Sequence, residues 1–358
     1  MVQFGFHSVL TWTHILEKKG YSTAVLYLDL ANAFHHLIRE LVLGVESEED
    51  FTEIVNTLHR AGHPLEARQA GQQLAGTLER FGCDERLLRL LRDVHTDTWF
   101  TVTQKEVVRT RRGTRPGSPL ADAVFHVIMA HIMSLVRDWL LSYTLQQLLA
   151  PLSMPTLPVV WADDVAAPLA ASRATDLLPM IQEVISFVDK QFTQHGFTVN
   201  YDLNKTNAVV SFQGQDAPQL RRDYLLTDRP GMTCSLDSGQ SIWLHFKNSY
   251  KHLGYTYGAS QSLEVELRQR IGQATSAMAM LGRPILTNRH YPTKLRIRLF
   301  RVFVETRLFY GLGTWRTPTL KQMKQLRTVY VALLKKVLRP RTTSSPYTWQ
   351  DLSACRYP

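Results

Sequence analysis

The sequence has few cysteines, and their spacing matches no metal or disulfide pattern. Its 358 residues include three, Cys83, Cys234 and Cys355, which stand far apart. An odd, widely spaced set without a CxxC pair excludes the common zinc motifs and argues against a disulfide framework. A reducing compartment is therefore expected.

Long apolar runs and low-complexity tracts are also lacking. Residues 1–10 show no basic segment followed by an apolar stretch, so no secretory signal is expected. The most apolar segment, residues 123–145, is interrupted by two histidines and by Arg137 and Asp138. That pattern predicts a buried or amphipathic helix and no membrane partner.

Acidic residues are almost absent from one part of the chain. Residues 267–341 contain 17 Lys or Arg and one acid, Glu305, whereas the whole chain has a net charge of +10. The remainder is therefore net acidic. A one-sided positive field is typical of a surface that meets phosphate backbones. Solvated helix faces and binding to acidic membranes are the alternatives.

Apolar periodicity predicts mixed strands and helices up to about Gly258, followed by basic helices. We expect a strand at 23–30 with Asp29 near its end and a helix at 31–38. Residues 157–169 are apolar on both sides of Asp163 and Asp164, which predicts a hairpin with both acids at its tip. Further expected elements are helices within 46–94, a hairpin at 99–110, a turn at 113–119 opening a helix, a helix at 176–192 and strands at 207–212 and 241–257.

Two adjacent aspartates at such a tip repel each other, and crowding them is costly without a counter-charge. A divalent cation removes that cost, since Mg2+ prefers carboxylate oxygens and completes its shell with substrate phosphates. Asp29 is the best candidate for a third carboxylate, because two neighbouring strands would bring it to Asp163. The reaction class implied is phosphoryl transfer with two metal ions. An Asp-Asp pair alone is more often a solvated turn.

Five motifs follow one another in an order that resembles the palm of reverse transcriptases, and the most similar branch is that of non-LTR, LINE-like retrotransposons. They are Asp-Leu-Ala-Asn-Ala-Phe at 29–34, residues 113–120, Trp-Ala-Asp-Asp at 161–164, Asn-Lys-Thr at 204–206 and Tyr-Lys-His-Leu-Gly at 250–254. Several motifs in order are a stronger signal than one. The resemblance covers about residues 3–315, including Phe309-Tyr310-Gly311 and Trp315.

The resemblance implies roles for the catalytic residues. Asp29 and Asp163 match the two metal ligands, and Asp164 matches the second aspartate of the pair, whose contact with metal is less direct. The implied cofactor is Mg2+, as two ions, with Mn2+ as a substitute. Lys205 matches a lysine that contacts or protonates the departing pyrophosphate, although a lone Lys is as often surface charge.

It also implies residues that bind nucleotide and primer. Phe34 matches a steric gate that excludes the 2′-hydroxyl, and its alternative is a core aromatic. Gly117 matches a glycine that lets the backbone approach the template–nucleotide pair, next to Arg115 and Pro116. A primer grip, which aligns the primer 3′ end, is matched by Tyr250, Lys251, His252, Leu253 and Gly254. The basic helices correspond to a thumb that follows the phosphate backbone.

Three positions depart from the family pattern. Pro116 stands where the family often has Gln, so that side chain's hydrogen bond cannot form. Trp161 replaces the frequent Tyr or Phe before Ala-Asp-Asp. Only 28 residues precede Asp29, and residues 3–6 resemble the last fingers segment alone, so the strands that bring an Arg or Lys to the triphosphate have no counterpart.

The expected fold is α+β: a right-hand polymerase palm, with an antiparallel sheet backed by helices, a partial fingers portion and a helical thumb. We expect residues 1–258 to form the reverse transcriptase domain, 259–341 the thumb-like region and 342–358 a polar tail. The expected function is RNA-directed DNA polymerase, with an RNA template, a DNA primer and deoxynucleoside triphosphates as partners, in an intracellular and by family nuclear location.

Two other functions stay open. An inert remnant could still bind nucleic acid through the basic helices: the intact aspartates argue against it, whereas the short segment before Asp29 argues for it. An RNA-dependent RNA polymerase shares the palm and the Asp-Asp turn. Phe34 disfavours that class, because such enzymes need space and a polar contact for the 2′-hydroxyl.

Overall fold

The computed structural model describes residues 2–45, 52, 56, 76–95, 98–103, 106–110, 113–114, 118–142, 158–252, 254–258, 263–288, 290–315 and 317–338. It divides into two compact units, Met1–Gln261 and Ser262–Pro358. The boundary follows Gly258 by a few residues. The expected polar tail, 342–358, lies outside the described residues.

The first unit is built on a six-stranded sheet in the order β4-β5-β1-β6-β8-β7. Its strands are β1 (Ser22–Leu28), β4 (Val159–Trp161), β5 (Asp164–Ala171), β6 (Asn207–Ser211), β7 (Gly231–Ser235) and β8 (Ser241–Phe246). Two separate hairpins pair β2 (Trp99–Thr103) with β3 (Glu106–Arg109) and β9 (Ser249–His252) with β10 (Tyr255–Gly258). The unit is therefore mixed α and β, as an α+β fold requires.

The sheet is not wholly antiparallel, which corrects the sequence-based expectation. Strand β6 pairs with β8 in parallel, through Asn207–His245 and Ala208–Phe246. Between these two strands the chain forms the helix Ala217–Tyr224 and then β7, which pairs with β8 antiparallel. After this excursion the chain runs along β8 in the same direction as β6. The two strands therefore pair in parallel, and the sheet is mixed.

Helices cover one face of the sheet because its inward positions are apolar. Ala24, Leu26 and Leu28 of β1 are fully buried and belong to the main core. The two long helices Pro119–Ser142 and Ala174–Gln194 add their apolar stripes to that core. The remaining helices of the unit are Val2–Lys18, Ala33–His36, Arg39–Leu43, Thr77–Arg80, Glu85–His95 and Ala217–Tyr224.

The other face is also covered, but only over part of its width. Val25 and Tyr27 of β1 alternate with the inward residues and form a second core with Val209, Tyr255 and Tyr257. The β9–β10 hairpin and Val9 of the first helix supply that cover. Burial on both faces explains why β1 is apolar along its whole length, as central strands are.

Within the part of the chain that the structure describes, one helix, Pro119–Leu140, is long and apolar enough to cross a membrane by length and composition. Its inward residues, among them Val124, Phe125, Ile128 and Ile132, are buried in the main core. A soluble core helix passes the same test, and this burial fits that reading.

The second unit is helical over its described residues. The helices Leu263–Leu281, Thr293–Phe300 and Leu320–Leu338 pack around a core that includes Leu267, Phe300 and Leu333. Shorter turns are Gly282–Leu286, Arg301–Glu305, Thr306–Leu308 and Leu312–Thr314. Leu326, Leu333 and Val337 of the last helix face this core, as on an amphipathic helix. Leu320 and Met323 of the same helix are exposed.

Candidate active site

Asp29 stands directly after β1, where the strand ends beside β5. The two strands pair antiparallel with Leu28 opposite Val165, so the residue that follows Leu28 lies next to Asp164. The segment that precedes β6 holds the backbone of Asp29 on the other side. The Asp29 N–H donates to Thr206 Oγ1 at 3.2 Å, and the Asp29 carbonyl accepts from the Asn200 N–H at 2.8 Å. The carboxylate is partly buried.

The hairpin that the sequence predicts is present, with Asp163 in the turn between β4 and β5 and Asp164 as the first residue of β5. Trp161 pairs with Asp164, which leaves Ala162 and Asp163 as a two-residue turn. Ala162 has φ of 53°, a left-handed conformation that is unfavourable for a residue with a Cβ. Short hairpin turns require such a φ, so the strand pairing compels it.

Backbone strain concentrates around these acids. Among the described residues, the non-glycine residues with positive φ are Asn32, Ala162 and Asn204. Asn32 follows Asp29, Ala162 precedes Asp163, and Asn204 precedes Lys205. Strained residues of this kind gather at functional sites, where the surrounding structure enforces them.

The acids influence one another electrostatically. Burial, followed by the charges of Asp163 and Asp29, raises the pKa of Asp164 to about 6, while Lys205 opposes the rise. The charges of Asp163 and Asp29 therefore act directly on the Asp164 carboxyl. A bound cation would relieve that repulsion.

Lys205 supplies a positive charge to this cluster. Its Nζ lies 3.5 Å from Asp29 Oδ1, and its side chain is about half exposed. Asn204 before it adopts φ of 74°, and the Lys205 carbonyl accepts a hydrogen bond from the Tyr250 hydroxyl at 2.9 Å. The backbone of Lys205 is thus fixed while its amine remains accessible to a ligand.

The β9–β10 hairpin lies beside the carboxylates. The Tyr250 ring stacks on Tyr27, with centroids 4.5 Å apart. Burial, followed by the charges of Asp164 and Asp29, raises the pKa of Tyr250 to about 12. Lys251 is exposed and His252 is buried, with its pKa lowered to about 4 by burial. Gly254 forms the turn at φ of 81°, and Leu253 lies outside the described residues.

Phe34 stacks on Phe125 of the core, with ring centroids 4.2 Å apart, and stays partly exposed. It lies in the short helix Ala33–His36 that follows Asp29. Its carbonyl accepts from the Thr114 N–H at 2.7 Å, and the Gly113 N–H donates to the Leu37 carbonyl at 2.7 Å. The segment after β1 is therefore joined to the start of the expected nucleotide-binding turn.

Gly113 is needed at that junction. It has φ of +83°, and a Cβ there would approach the backbone of His35 to within 2.7 Å. The residues that follow it in the turn, Arg115, Pro116 and Gly117, lie outside the described residues. The expected nucleotide contacts from them stay a prediction.

The donor chemistry of the site fits Mg2+. Among the described residues, no group of three or more His, Cys, Asp or Glu side chains could by itself hold a metal ion. Mg2+ does not require such a cage, because one or two carboxylates and substrate phosphates complete its shell. Asp29 and Asp163 are hard-oxygen donors, and burial, followed by their negative charges, raises the pKa of Asp164.

Sequence reasoning missed three residues that support the site. Tyr27 anchors the hairpin by stacking, Thr206 binds the Asp29 amide, and Asn200 binds the Asp29 carbonyl. Alternation along β1 was a usable signal for Tyr27, since it places that residue on the face opposite Leu26. Thr206 belongs to the Asn-Lys-Thr motif at 204–206, although the motif gave it no role, and for Asn200 we find no signal in the sequence.

Among the described residues of the second unit, most Lys and Arg side chains are exposed, whereas Arg296 and Arg270 are buried. Arg296 is buried and donates from Nη1 to the Val337 carbonyl at 2.6 Å. Arg270 is buried in an ion pair with Glu266, at 2.5 Å. Arg296 therefore joins two helices, whereas Arg270 pairs within its own helix, and neither adds to the surface charge that the sequence suggested.

No protein-family model matches the chain, and no curated protein matches it.

Proposed function

We propose that this chain is an RNA-directed DNA polymerase of the non-LTR retrotransposon type, in which the first unit is the palm with a partial fingers portion and the second is the thumb. The observation that supports it most is the β1–β5 pairing, which sets Asp29 beside Asp164 at adjacent strand ends. A two-metal nucleotidyl transfer needs carboxylates from separate strands in this relationship.

Each residue near the acids has a task in that reaction. Asp29 and Asp163 would hold the metal ions, which supply charge stabilisation at the transferring phosphate. Lys205, whose Nζ lies 3.5 Å from Asp29 Oδ1, would donate a proton to the leaving pyrophosphate. The Tyr250 hairpin, docked on Tyr27, would hold the primer end in line with the nucleotide.

Phe34 gives the reaction its sugar preference under this proposal. Its ring is fixed against Phe125 and stays partly exposed a few residues after Asp29. A fixed ring beneath the sugar leaves no room for a 2′-hydroxyl. This favours DNA synthesis over the RNA synthesis of an RNA-dependent RNA polymerase.

The test is extension of a labelled DNA primer by the full chain. An RNA template and a DNA template of the same sequence are compared, each with deoxynucleotides and with ribonucleotides, in Mg2+. We expect extension on RNA with deoxynucleotides. Preferred use of ribonucleotides would support an RNA polymerase instead.

A second candidate is an inert remnant that binds nucleic acid. It is supported by the exposed Lys and Arg side chains of the second unit, which could bind phosphate backbones without any chemistry. The same assay separates the two, when combined with a binding measurement on the template–primer. Tight binding without any extension in Mg2+ or Mn2+ would establish the remnant.

A further inference from the structure

The outer face of the sheet is covered only as far as β6. In register, Tyr27 pairs with Asn207, and Asn207 pairs with His245, so the three residues lie on one face in adjacent strands. Tyr27 and Asn207 are fully buried, whereas His245 is partly exposed. Trp243, two residues earlier on β8, shares that face and is also partly exposed. The outer face of β8 therefore meets solvent.

An arginine lies over an aromatic ring of this strand. The Arg229 guanidinium carbon lies 4.6 Å from the centroid of the Trp243 ring, and Arg229 is exposed. The Trp243 indole lies beneath Arg229 and packs closely against Gly231. A Cβ added to Gly231 would come within 2.7 Å of Trp243 Nε1. The result is a planar cation, held in place by an aromatic ring and facing solvent.

A second cation joins this surface to the aspartates. Lys247 Nζ donates to Asn204 Oδ1 at 3.1 Å, and the next residue, Lys205, contacts Asp29. His245 lies between the two cations, and its pKa is lowered by burial and then by the charges of Lys247 and Arg229. A line of positive and aromatic groups thus runs from the carboxylates across β8 toward the β7 edge of the sheet.

We propose that this β8 patch, Arg229, Trp243, His245 and Lys247, binds a single strand of nucleic acid, with an unpaired base stacked on the Arg229–Trp243 pair and phosphates at Lys247. The inference deepens the proposed function and rests on it, since it takes nucleic acid as the substrate. Stacking on a sequence-tolerant plane beside cations is how proteins hold single strands.

A single strand fits the patch better than a duplex or an acidic protein. A duplex hides its base faces, so the planar pair would contact only its backbone. An acidic segment would need positive charge in excess, yet Asp228 directly precedes Arg229 and offsets part of it. The distinguishing feature of the patch is therefore the plane, not the net charge.

The test measures binding of a fluorescent oligothymidylate of about 12 nucleotides, within the usual length of a single-strand site. Parent and variants all carry Asp163→Asn and are kept free of metal, so that chemistry cannot interfere. We expect Arg229→Gln and Trp243→Leu each to weaken binding about fivefold or more, and Trp243→Phe to retain most of it. The matched control is Arg173→Gln, which removes an exposed charge beyond the far end of β5 and should change binding less than about twofold.

An abasic strand of the same length tests the stacking directly. We expect it to bind more weakly than oligothymidylate and to be insensitive to Trp243→Leu. The proposal is overturned if Arg229→Gln and Lys247→Gln both bind oligothymidylate as the parent does, or if polyglutamate competes as well as oligothymidylate. Because Arg229→Gln is a surface change, unfolding would not explain its result.

Extension of a short template–primer keeps this inference separate from the proposed function. We expect the Arg229→Gln chain with Asp163 restored to extend a short hybrid as the parent does. Normal extension with unchanged strand binding would overturn the patch alone. Absent extension by the parent, together with patch-dependent strand binding, would overturn the polymerase alone.

Discussion

Lys205 Nζ lies 3.5 Å from Asp29 Oδ1, although the two residues stand far apart in the sequence. The contact exists because the Asp29 N–H bonds to Thr206, which fixes the segment after Asn204 against the end of β1. It places a proton donor beside a proposed metal ligand. The same lysine lowers the pKa of Asp164 against the effects of burial and of the other two acids.

Replacing Lys205 should slow the chemistry without loosening the nucleic acid. For Lys205→Gln we expect the single-nucleotide extension rate to fall by about 10²-fold, the lower range for a general acid. Affinity for the template–primer should change little, because the basic helices dominate binding. Rapid-quench extension and a binding titration measure the two. Lys19→Gln, an exposed lysine after the first helix, is the control; equal rates in both variants would remove Lys205 from the reaction.

Asp164 should make the fold less stable at neutral pH. Its pKa rises from 3.8 to about 6 on folding, so between these values the native state binds more protons than the unfolded state. Stability from this group therefore falls as pH rises from about 4 to about 6 and stays lower above. We expect Asp164→Asn to raise the free energy of unfolding at pH 7 by on the order of 1 kcal/mol, after allowance for partial exposure.

Urea unfolding of the parent and Asp164→Asn at pH 4 and pH 7 measures this effect. The gain should be smaller at pH 4, where the parent carboxyl is already protonated. Mg2+ should stabilise the parent more than the variant, because ligand binding to the native state stabilises it. A destabilised Asp164→Asn at both pH values would show that the carboxylate is held by favourable contacts, contrary to the account.

The elements around the acids could be predicted from the sequence because their signals are local. The apolar run of β1 ends at Leu28, before Asp29, and the hairpin turn falls on Ala162 and Asp163, where an apolar pattern is interrupted by acids. The parallel β6–β8 pairing could not be predicted, because it depends on which edge β8 reaches after an excursion through another helix and strand. Local periodicity contains no information on that choice.

Long-range contacts of single side chains also could not be predicted from the sequence. The charge pattern treated Arg296 as a surface residue, yet its Nη1 donates to the carbonyl of Val337, 41 positions away. In the sequence Tyr27 is one of several apolar residues of β1, and only the structure shows Tyr250 of the hairpin stacked on it. Such partners meet only in the folded chain, so a residue's neighbours in sequence do not reveal them.

Phe34 should control sugar choice. We expect Phe34→Val to raise ribonucleotide incorporation relative to deoxynucleotide incorporation, because the smaller side chain leaves space for a 2′-hydroxyl. The matched control is Phe187→Val, since Phe187 is also partly exposed and stacked, on Trp139 at 4.4 Å, in the same unit. Competitive single-nucleotide extension gives both ratios. The same ratio in the two variants would make Phe34 a core aromatic only.

The exposed lysines of the last helix should contribute to the salt dependence of binding. Lys321 and Lys324 are exposed, and a protein that neutralises one phosphate fewer has a slope of log affinity against log salt that is shallower by about 0.7–0.9. We expect Lys321→Gln with Lys324→Gln to flatten the slope by one to two such steps. Lys18→Gln with Lys19→Gln removes the same charge from the first unit and should leave the slope almost unchanged. Equal slopes in both doubles would make the basic helices merely solvated faces.

The most direct test is primer extension on an RNA template by the chain with Asp29→Asn. This change alters one carboxylate that the β1–β5 pairing brings to Asp164, and it keeps the size of the side chain. Asp93→Asn, in an exposed position of the helix Glu85–His95, is the control. The account predicts Mg2+-dependent extension by the parent and the control and none by Asp29→Asn, with template–primer affinity retained in all three. Extension by Asp29→Asn at the parent rate would contradict it.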